Sequence, residues 1–149
     1  MTFPVPTEET MSKRYIGSRT KLGVIVEVEV RDHGNKVRKR TLRHIPYHSL
    51  DGFEMGYGGS GPADLALALL VDYFGERPPR DGYKSPRFSQ WTVKSKVWKL
   101  HQSFKWKFIA GFGGQWTLYS TQIQEWLKEQ EVEDKDNGNT SVVDLSQAL

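Results

Sequence analysis

A glycine-rich turn that leads directly into an apolar segment constrains the fold of this chain more than any other feature. Four of the six residues from Gly56 to Gly61 are glycine, and Ala63–Phe74 is apolar on nearly every side of a helix. A helix that is apolar all round is buried in the core. Pro62 suits the first helical turn because its missing N–H is no loss there, and Gly75 is the expected C-terminal residue. The sequence therefore predicts a central, buried helix.

Alternating residues earlier in the chain predict a β-hairpin. From Val24 to Arg31, valine occupies every second position, which is the period of a half-buried strand. The turn residues Asp32–Asn35 follow, and Lys36–Leu42 continues as a second extended run. Four cations in that run are typical of an edge strand. They either block unwanted pairing or form an anion-binding face.

The C-terminal half predicts two further helices and more strand. Helical spacing from Val93 to Phe104 indicates a helix, after which Trp106–Ala110 and Trp116–Leu118 are predicted strands, and a last helix follows. The predicted fold class is α+β. A small antiparallel sheet, made of the N-terminal hairpin and the C-terminal strands, packs on the central buried helix with the two further helices.

Length and composition predict one domain over residues 14–130, between a flexible arm over 1–13 and an acidic, disordered tail over 131–149. No apolar run approaches the roughly 20 residues of a membrane span, and the N-terminus lacks an apolar signal core. We expect a cytoplasmic protein with no membrane partner. The absence of cysteine excludes disulfides, thiolate metal sites and cysteine nucleophiles, and we expect no cofactor.

The block from Asp51 to Ala66 resembles a family of small, uncharacterised bacterial and phage proteins. Those proteins carry a GFEWGYGGSGPAxLA block, a later H-x-x-F-K motif and a tryptophan before the final helix. The residues at the later matching places are His101, Phe104, Lys105 and Trp116. The resemblance spans roughly Ser18 to Lys128, with Met55 in place of tryptophan and an atypical insertion over Glu76–Gln90. It implies the fold and domain boundaries but no mechanism, and its phage members imply a role in host–phage conflict, such as anti-defence.

The glycine-rich turn is also a candidate anion-binding site. A helix start leaves backbone N–H groups unsatisfied and carries partial positive charge, so it can cradle a phosphate or carboxylate. The candidate residues are Gly58, Gly59, Ser60 and Gly61. Their spacing fits neither the Walker A motif nor a dinucleotide fingerprint. The alternative is that these glycines only let the loop pass closely against the sheet, with Ser60 as the helix cap.

Basic and aromatic residues together indicate nucleic-acid binding. The net charge of +3 includes the acidic tail, so the rest of the chain is more basic than that value shows. The candidate residues are Arg38, Lys39, Arg40, Arg77, Arg80, Lys94, Lys96, Lys99, Lys105 and Lys107, with Trp91, Trp98 and Trp106 interleaved. Cations neutralise backbone phosphates and exposed rings stack on unpaired bases. The alternative is that the tryptophans are core residues and the lysines a solvated face.

Histidines and carboxylates in the loop before the main helix are weaker candidates. His44 and His48 are four residues apart, but Pro46 between them prevents the helical H-x-x-x-H arrangement, so we expect no metal site. A hydrolase would use His48 with Asp51 and Glu54, because a loop can bring them together.

The leading hypothesis is a non-catalytic binding module for a phosphate-bearing partner, nucleic acid or nucleotide. It would use the basic surface and the glycine-rich helix start. A protein-binding accessory or inhibitor factor of phage type, acting on a host protein or a nucleoprotein complex, is the alternative. The small hydrolase is the second alternative.

Overall fold

The protein folds as one antiparallel sheet packed on helices. Its structure, a computed structural model, describes residues 12–136, with side chains as far as residue 131. The elements are β1 (Ser12–Thr20), β2 (Gly23–Arg31), β3 (Val37–Thr41), α1 (Ser60–Phe74), α2 (Phe88–Lys94), α3 (Lys96–Lys107), β4 (Gln115–Tyr119) and α4 (Ser120–Asp136). The strand order is β3-β2-β1-β4. The predicted α+β class is confirmed.

The sheet contains the predicted hairpin and one strand that the sequence did not reveal. β2 and β3 pair from Glu27 with Thr41 to Arg31 with Val37, as the alternation predicted. β1 lies between β2 and β4 and pairs antiparallel with both. It begins at Ser12, two residues inside the segment predicted as an arm. The valines of β2 all point to one buried face, which packs on the helices.

α1 is the centre of the molecule, as predicted. Its residues from Gly61 to Leu70 are all buried, and it packs against α3 and the inner face of the sheet. The cap position is Gly59, which has no side chain to bond, so the predicted Ser60 cap is wrong. The prediction that Gly75 ends α1 is confirmed. Gly75 has φ 71° and donates its N–H to the Val71 carbonyl at 2.8 Å.

Two details of the predicted C-terminal half are wrong. The helix predicted from Val93 is divided, because Ser95 ends α2 and accepts a hydrogen bond from the Trp98 N–H at the start of α3. The strand predicted over Trp106–Ala110 is the end of α3 and a single 3₁₀ turn. Helical spacing there lets Phe104 and Phe108 both pack on the Trp126 ring of α4. Within residues 12–136, three α-helices rather than the predicted two therefore accompany α1.

The predicted domain boundaries stay predictions. α4 continues to Asp136, six residues into the segment predicted as the tail, and the rest of the arm and tail lie outside the described residues. Within residues 12–136, no helix combines the length and apolar character needed to cross a membrane.

Candidate anion-binding site

A cavity of about 400 Å³ lies between the end of β3, the C-terminal half of α1 and the loop that follows α1. Four arginines from two separate stretches of chain line it: Arg40, Arg43, Arg77 and Arg80. Tyr47, Asp72 and Glu76 also belong to its wall. We call it the arginine cavity. Each of the two stretches contributes two arginines, and the fold brings the two pairs to one cavity.

Glu76 fixes the loop after α1 in place. Gly75 turns the chain out of the helix, and the next residue, Glu76, accepts hydrogen bonds from Trp91 Nε1 at 3.1 Å, Ser95 Oγ at 2.6 Å and Val97 N at 3.3 Å. The carboxylate thereby ties the loop to the junction of α2 and α3. This attachment places the next residue, Arg77, at the wall of the cavity.

Gly82 holds the far end of the same loop. Its φ is 60°, and a Cβ added there would lie 2.0 Å from the carbonyl oxygen of Pro46. The Tyr83 N–H donates to that oxygen at 3.3 Å. Only glycine permits this approach and this backbone angle together. The loop over residues 76–87 is therefore seated on the chain that leads to Tyr47.

The cations of the cavity exceed the charges that neutralise them. Asp72 is engaged by Lys13 at 3.1 Å, by Arg40 at 2.6 Å and by the Tyr15 hydroxyl at 2.8 Å. Three exposed arginines of the cavity have no carboxylate partner within residues 12–131. These are Arg43, Arg77 and Arg80. Unpaired guanidinium groups in one concave surface attract anions, and their planar donor geometry matches phosphate.

Tyr47 carries a buried hydroxyl for which the described chain offers no hydrogen-bond partner. The ring is 3% exposed and stacks on Trp91 with centroids 5.5 Å apart. Burial raises the pKa of the Tyr47 phenol, with Asp64 adding to the rise, so the group stays a neutral donor. An unsatisfied buried hydroxyl costs about 1–3 kcal/mol. The ring contacts of Tyr47 therefore hold it in place, although its hydroxyl makes no hydrogen bond to the described residues.

A second cavity of about 580 Å³ adjoins the first. Its lining residues are Glu76, Arg77, Pro79, Arg87, Gln90, Trp91, Val93, Lys94 and Ser95. We call it the tryptophan cavity. Glu76 and Arg77 line both cavities. Tyr47 lines the arginine cavity, Trp91 lines the tryptophan cavity, and their rings stack on each other. The two cavities thus share two lining residues, and cations line each of them.

Four of the ten predicted nucleic-acid-binding residues line the two cavities, and the role of all ten in binding stays a prediction. Those that line the two cavities are Arg40, Arg77, Arg80 and Lys94, and the structure adds Arg43 and Arg87. Those that line neither are Arg38, Lys39, Lys96, Lys99, Lys105 and Lys107. Lys39 lies near Glu27 and Glu29 on the outer sheet face. Lys105 is buried, with Nζ 4.8 Å from the centre of the Trp106 ring.

The glycine-rich turn is packed closely by side chains. A Cβ added to Gly58 would lie 2.1 Å from the Trp106 ring, one added to Gly59 2.6 Å from the Tyr57 ring, and one added to Gly61 2.7 Å from Glu54 Cβ. Ser60 is exposed. None of the cavities described above is lined by these four residues. Close packing accounts for the three glycines, and their role as an anion cradle stays a prediction.

A fully buried carboxylate, Asp64, organises the loop before α1. It accepts hydrogen bonds from His44 Nε2 and the His48 N–H, both at 2.8 Å, and from the Ser49 N–H at 3.0 Å. Sequence reasoning missed this residue. The signal was a single carboxylate within an apolar helical run, and a buried charge of that kind requires several partners.

His48 and His101 stack, with ring centroids 5.2 Å apart. His101 Nδ1 lies 2.6 Å from the Trp98 carbonyl oxygen, which only accepts, so this nitrogen donates. The neutral His101 ring then accepts at Nε2, where His48 Nε2 donates at 3.0 Å. Burial lowers the pKa of His101 to about 4 and also lowers that of His48. Burial therefore favours the neutral form of both rings.

Two of the three side chains in the hydrolase hypothesis, those of His48 and Glu54, bond to other groups. Glu54 forms an ion pair with Arg19 at 2.8 Å, and the Asp51 N–H donates to Ser49 Oγ at 3.2 Å. His48 bonds to His101 through its ring Nε2 and to Asp64 through its backbone N–H. No hydrogen bond joins His48 to Asp51 or Glu54 among the described side chains. Among the described residues, no group of three or more histidines and carboxylates is arranged to hold a metal.

Comparison with known proteins identifies the family. No curated protein and no solved structure matches the chain. A family model matches residues 15–95, which include both glycine-rich and arginine-bearing segments and end before His101. The match covers more than half of the chain, and the protein therefore belongs to DUF6166, a family of unknown function.

Proposed function

We propose that the protein is a non-catalytic binding module that engages a phosphate-bearing partner, nucleic acid or nucleotide, through the arginine cavity. The observation that carries this proposal is the convergence of Arg43, Arg77 and Arg80, all exposed and unpaired within the described residues, on one cavity of about 400 Å³. A volume of that size is typical of ligand sites.

Two features of the chain support an anionic ligand. The loop that bears Arg77 and Arg80 is attached at Glu76 and again at Gly82, so the backbone that carries these two arginines is fixed at the cavity before a ligand arrives. Pre-organised cations lose less entropy on binding than mobile ones. The proposal places this activity in the cytoplasm. The phage-type, anti-defence role rests on the resemblance alone, as a hypothesis.

Fluorescence anisotropy with a labelled 20-nucleotide probe tests the proposal. We expect binding at 50 mM NaCl that weakens markedly at 200 mM, because phosphate contacts release counterions. Arg77→Ala should weaken binding about tenfold at low salt, the scale of one charge-assisted contact. Lys99→Ala is the matched control, since Lys99 is exposed on α3 and lines neither cavity. Absence of binding at low salt, or equal effects of the two variants, contradicts the proposal.

A further inference from the structure

The tryptophan cavity differs in chemistry from the arginine cavity beside it. Its wall includes the part-exposed indole of Trp91, the Val93 side chain, which is 72% exposed, and the ring of Pro79. Gln90 adds an amide with both donors and an acceptor. Besides its charged lining residues Glu76, Arg77, Arg87 and Lys94, the cavity therefore has an apolar and aromatic part that suits a flat heterocycle.

Arg77 stands at the junction, because it lines both cavities. A ligand that occupies both must therefore have an anionic part and a flat, apolar part separated by a short linker. A nucleotide has this construction: its phosphate enters the arginine cavity, and its base enters the tryptophan cavity. Arg87 and Lys94 also line the tryptophan cavity, which supplies cations for a further phosphate of a strand.

We infer that the two cavities together bind a nucleotide unit whose base is unpaired. This inference rests on the proposed function and narrows it, because a base held in a duplex is stacked and paired and cannot enter the tryptophan cavity. Two kinds of ligand offer a phosphate joined to an unpaired base: a free nucleotide and a single strand. Duplex DNA meets the cations but not the base subsite.

An abasic strand separates the base from the phosphates without any change to the protein. We compare a 10-nucleotide thymidine strand with a strand of the same length and charge that lacks bases, and with a duplex of the same length, all at 50 mM NaCl. We expect the thymidine strand to bind about tenfold more tightly than either, within the range of one stacked base. Equal binding of the abasic strand overturns the inference and leaves the proposed function standing. No binding by any probe overturns the proposed function itself.

A variant locates the subsite. Val93→Ser removes the apolar wall without a change of charge and should narrow the difference between thymidine and abasic strands about threefold. Ser89→Ala, on the same helix and outside both cavities, should leave that difference unchanged. Because both residues are exposed, both variants should fold. An unchanged difference in the Val93 variant contradicts the assignment of the base to this cavity.

Competition with the bound strand distinguishes a site for free nucleotides from a site for single strands alone. Thymidine 5′-triphosphate that displaces the strand at lower concentration than inorganic tripolyphosphate does assigns the site to free nucleotides as well as strands. A nucleotide that displaces no strand, together with the base dependence above, assigns it to single strands. Equal displacement by nucleotide and tripolyphosphate counts against the base subsite.

Discussion

Asp64 lies where a charged side chain is costly, and its three hydrogen bonds explain how it is tolerated. Two of them come from backbone N–H groups of the loop that contains Tyr47, so the carboxylate sets the path of that loop from the start of α1. The tyrosine ring is then placed against Trp91. A buried residue with no ligand contact thereby determines the wall of the candidate site.

Replacement of Tyr47 by phenylalanine should stabilise the protein. The change keeps the ring stack and removes a buried hydroxyl without a hydrogen-bond partner in the described structure. We expect the free energy of unfolding to rise by about 1 kcal/mol, the lower end of the desolvation cost. Urea denaturation of both proteins measures it. Tyr83→Phe, at an exposed tyrosine, is the control and should change little. A loss of stability in the Tyr47 variant would show that the hydroxyl is satisfied.

The buried His101 should make stability depend on pH. Its pKa is about 4 in the folded protein and near 6.5 when unfolded, so the unfolded chain binds the proton first. Stability is then complete above pH 6.5 and is lost as the pH falls toward 4, by on the order of 3 kcal/mol. Protonation also places an N–H of His101 against the donating Nε2 of His48. Charged groups nearby are Lys105, which disfavours protonation, and Asp64, which favours it.

Urea denaturation at pH 7.5 and pH 4.5 measures this dependence. His101→Gln should lose less stability between the two values than the parent protein does, because the new side chain does not titrate. His33→Gln, at an exposed histidine, should retain the parent's loss. Identical losses in the parent and the His101 variant would rule out this residue as the cause.

At the scale of elements, local patterns were readable and long-range attachments were not. The valine alternation of β2 and the apolar run of α1 each lie within one element, and both were predicted. The division at Ser95 depends on a cap whose side chain also binds Glu76, nineteen residues earlier. The arginine cavity depends on Gly82 meeting Pro46 across the fold. No periodicity in the sequence reports such contacts, so the arginines appeared as separate charged patches.

Gly82→Ala should detach the loop over residues 76–87. A methyl group would collide with the Pro46 carbonyl, and the φ of 60° disfavours any L side chain by about 1–2 kcal/mol. We expect unfolding to become easier by about 2 kcal/mol or more, and trypsin to cut faster at Arg80 within the loop. Gly114→Ala is the matched control, since that position has open space and no positive φ. Unchanged cleavage in the Gly82 variant would contradict this role.

At the scale of the whole molecule, the cations of the described residues differ in their surroundings. Lys39 on the outer sheet face is near carboxylates, whereas the arginines of the loop over 76–87 face a cavity and lack such partners within the described residues. Net charge alone therefore overstates the surface available to a polyanion. What matters is how many cations a single ligand meets at once.

The salt dependence of binding counts those cations. For single strands, the slope of log K against log salt is about −0.7 for each phosphate contact. The Arg77→Ala, Arg80→Ala double variant should therefore reduce the magnitude of that slope by roughly 1.4. The Lys96→Ala, Lys99→Ala double variant removes the same formal charge from α3, outside both cavities, and should leave the slope nearly unchanged. Titrations at four salt concentrations between 50 and 200 mM measure the three slopes. Equal reductions in both variants would mean that the strand responds to the overall charge of the protein. That result would contradict the arginine cavity as the binding surface.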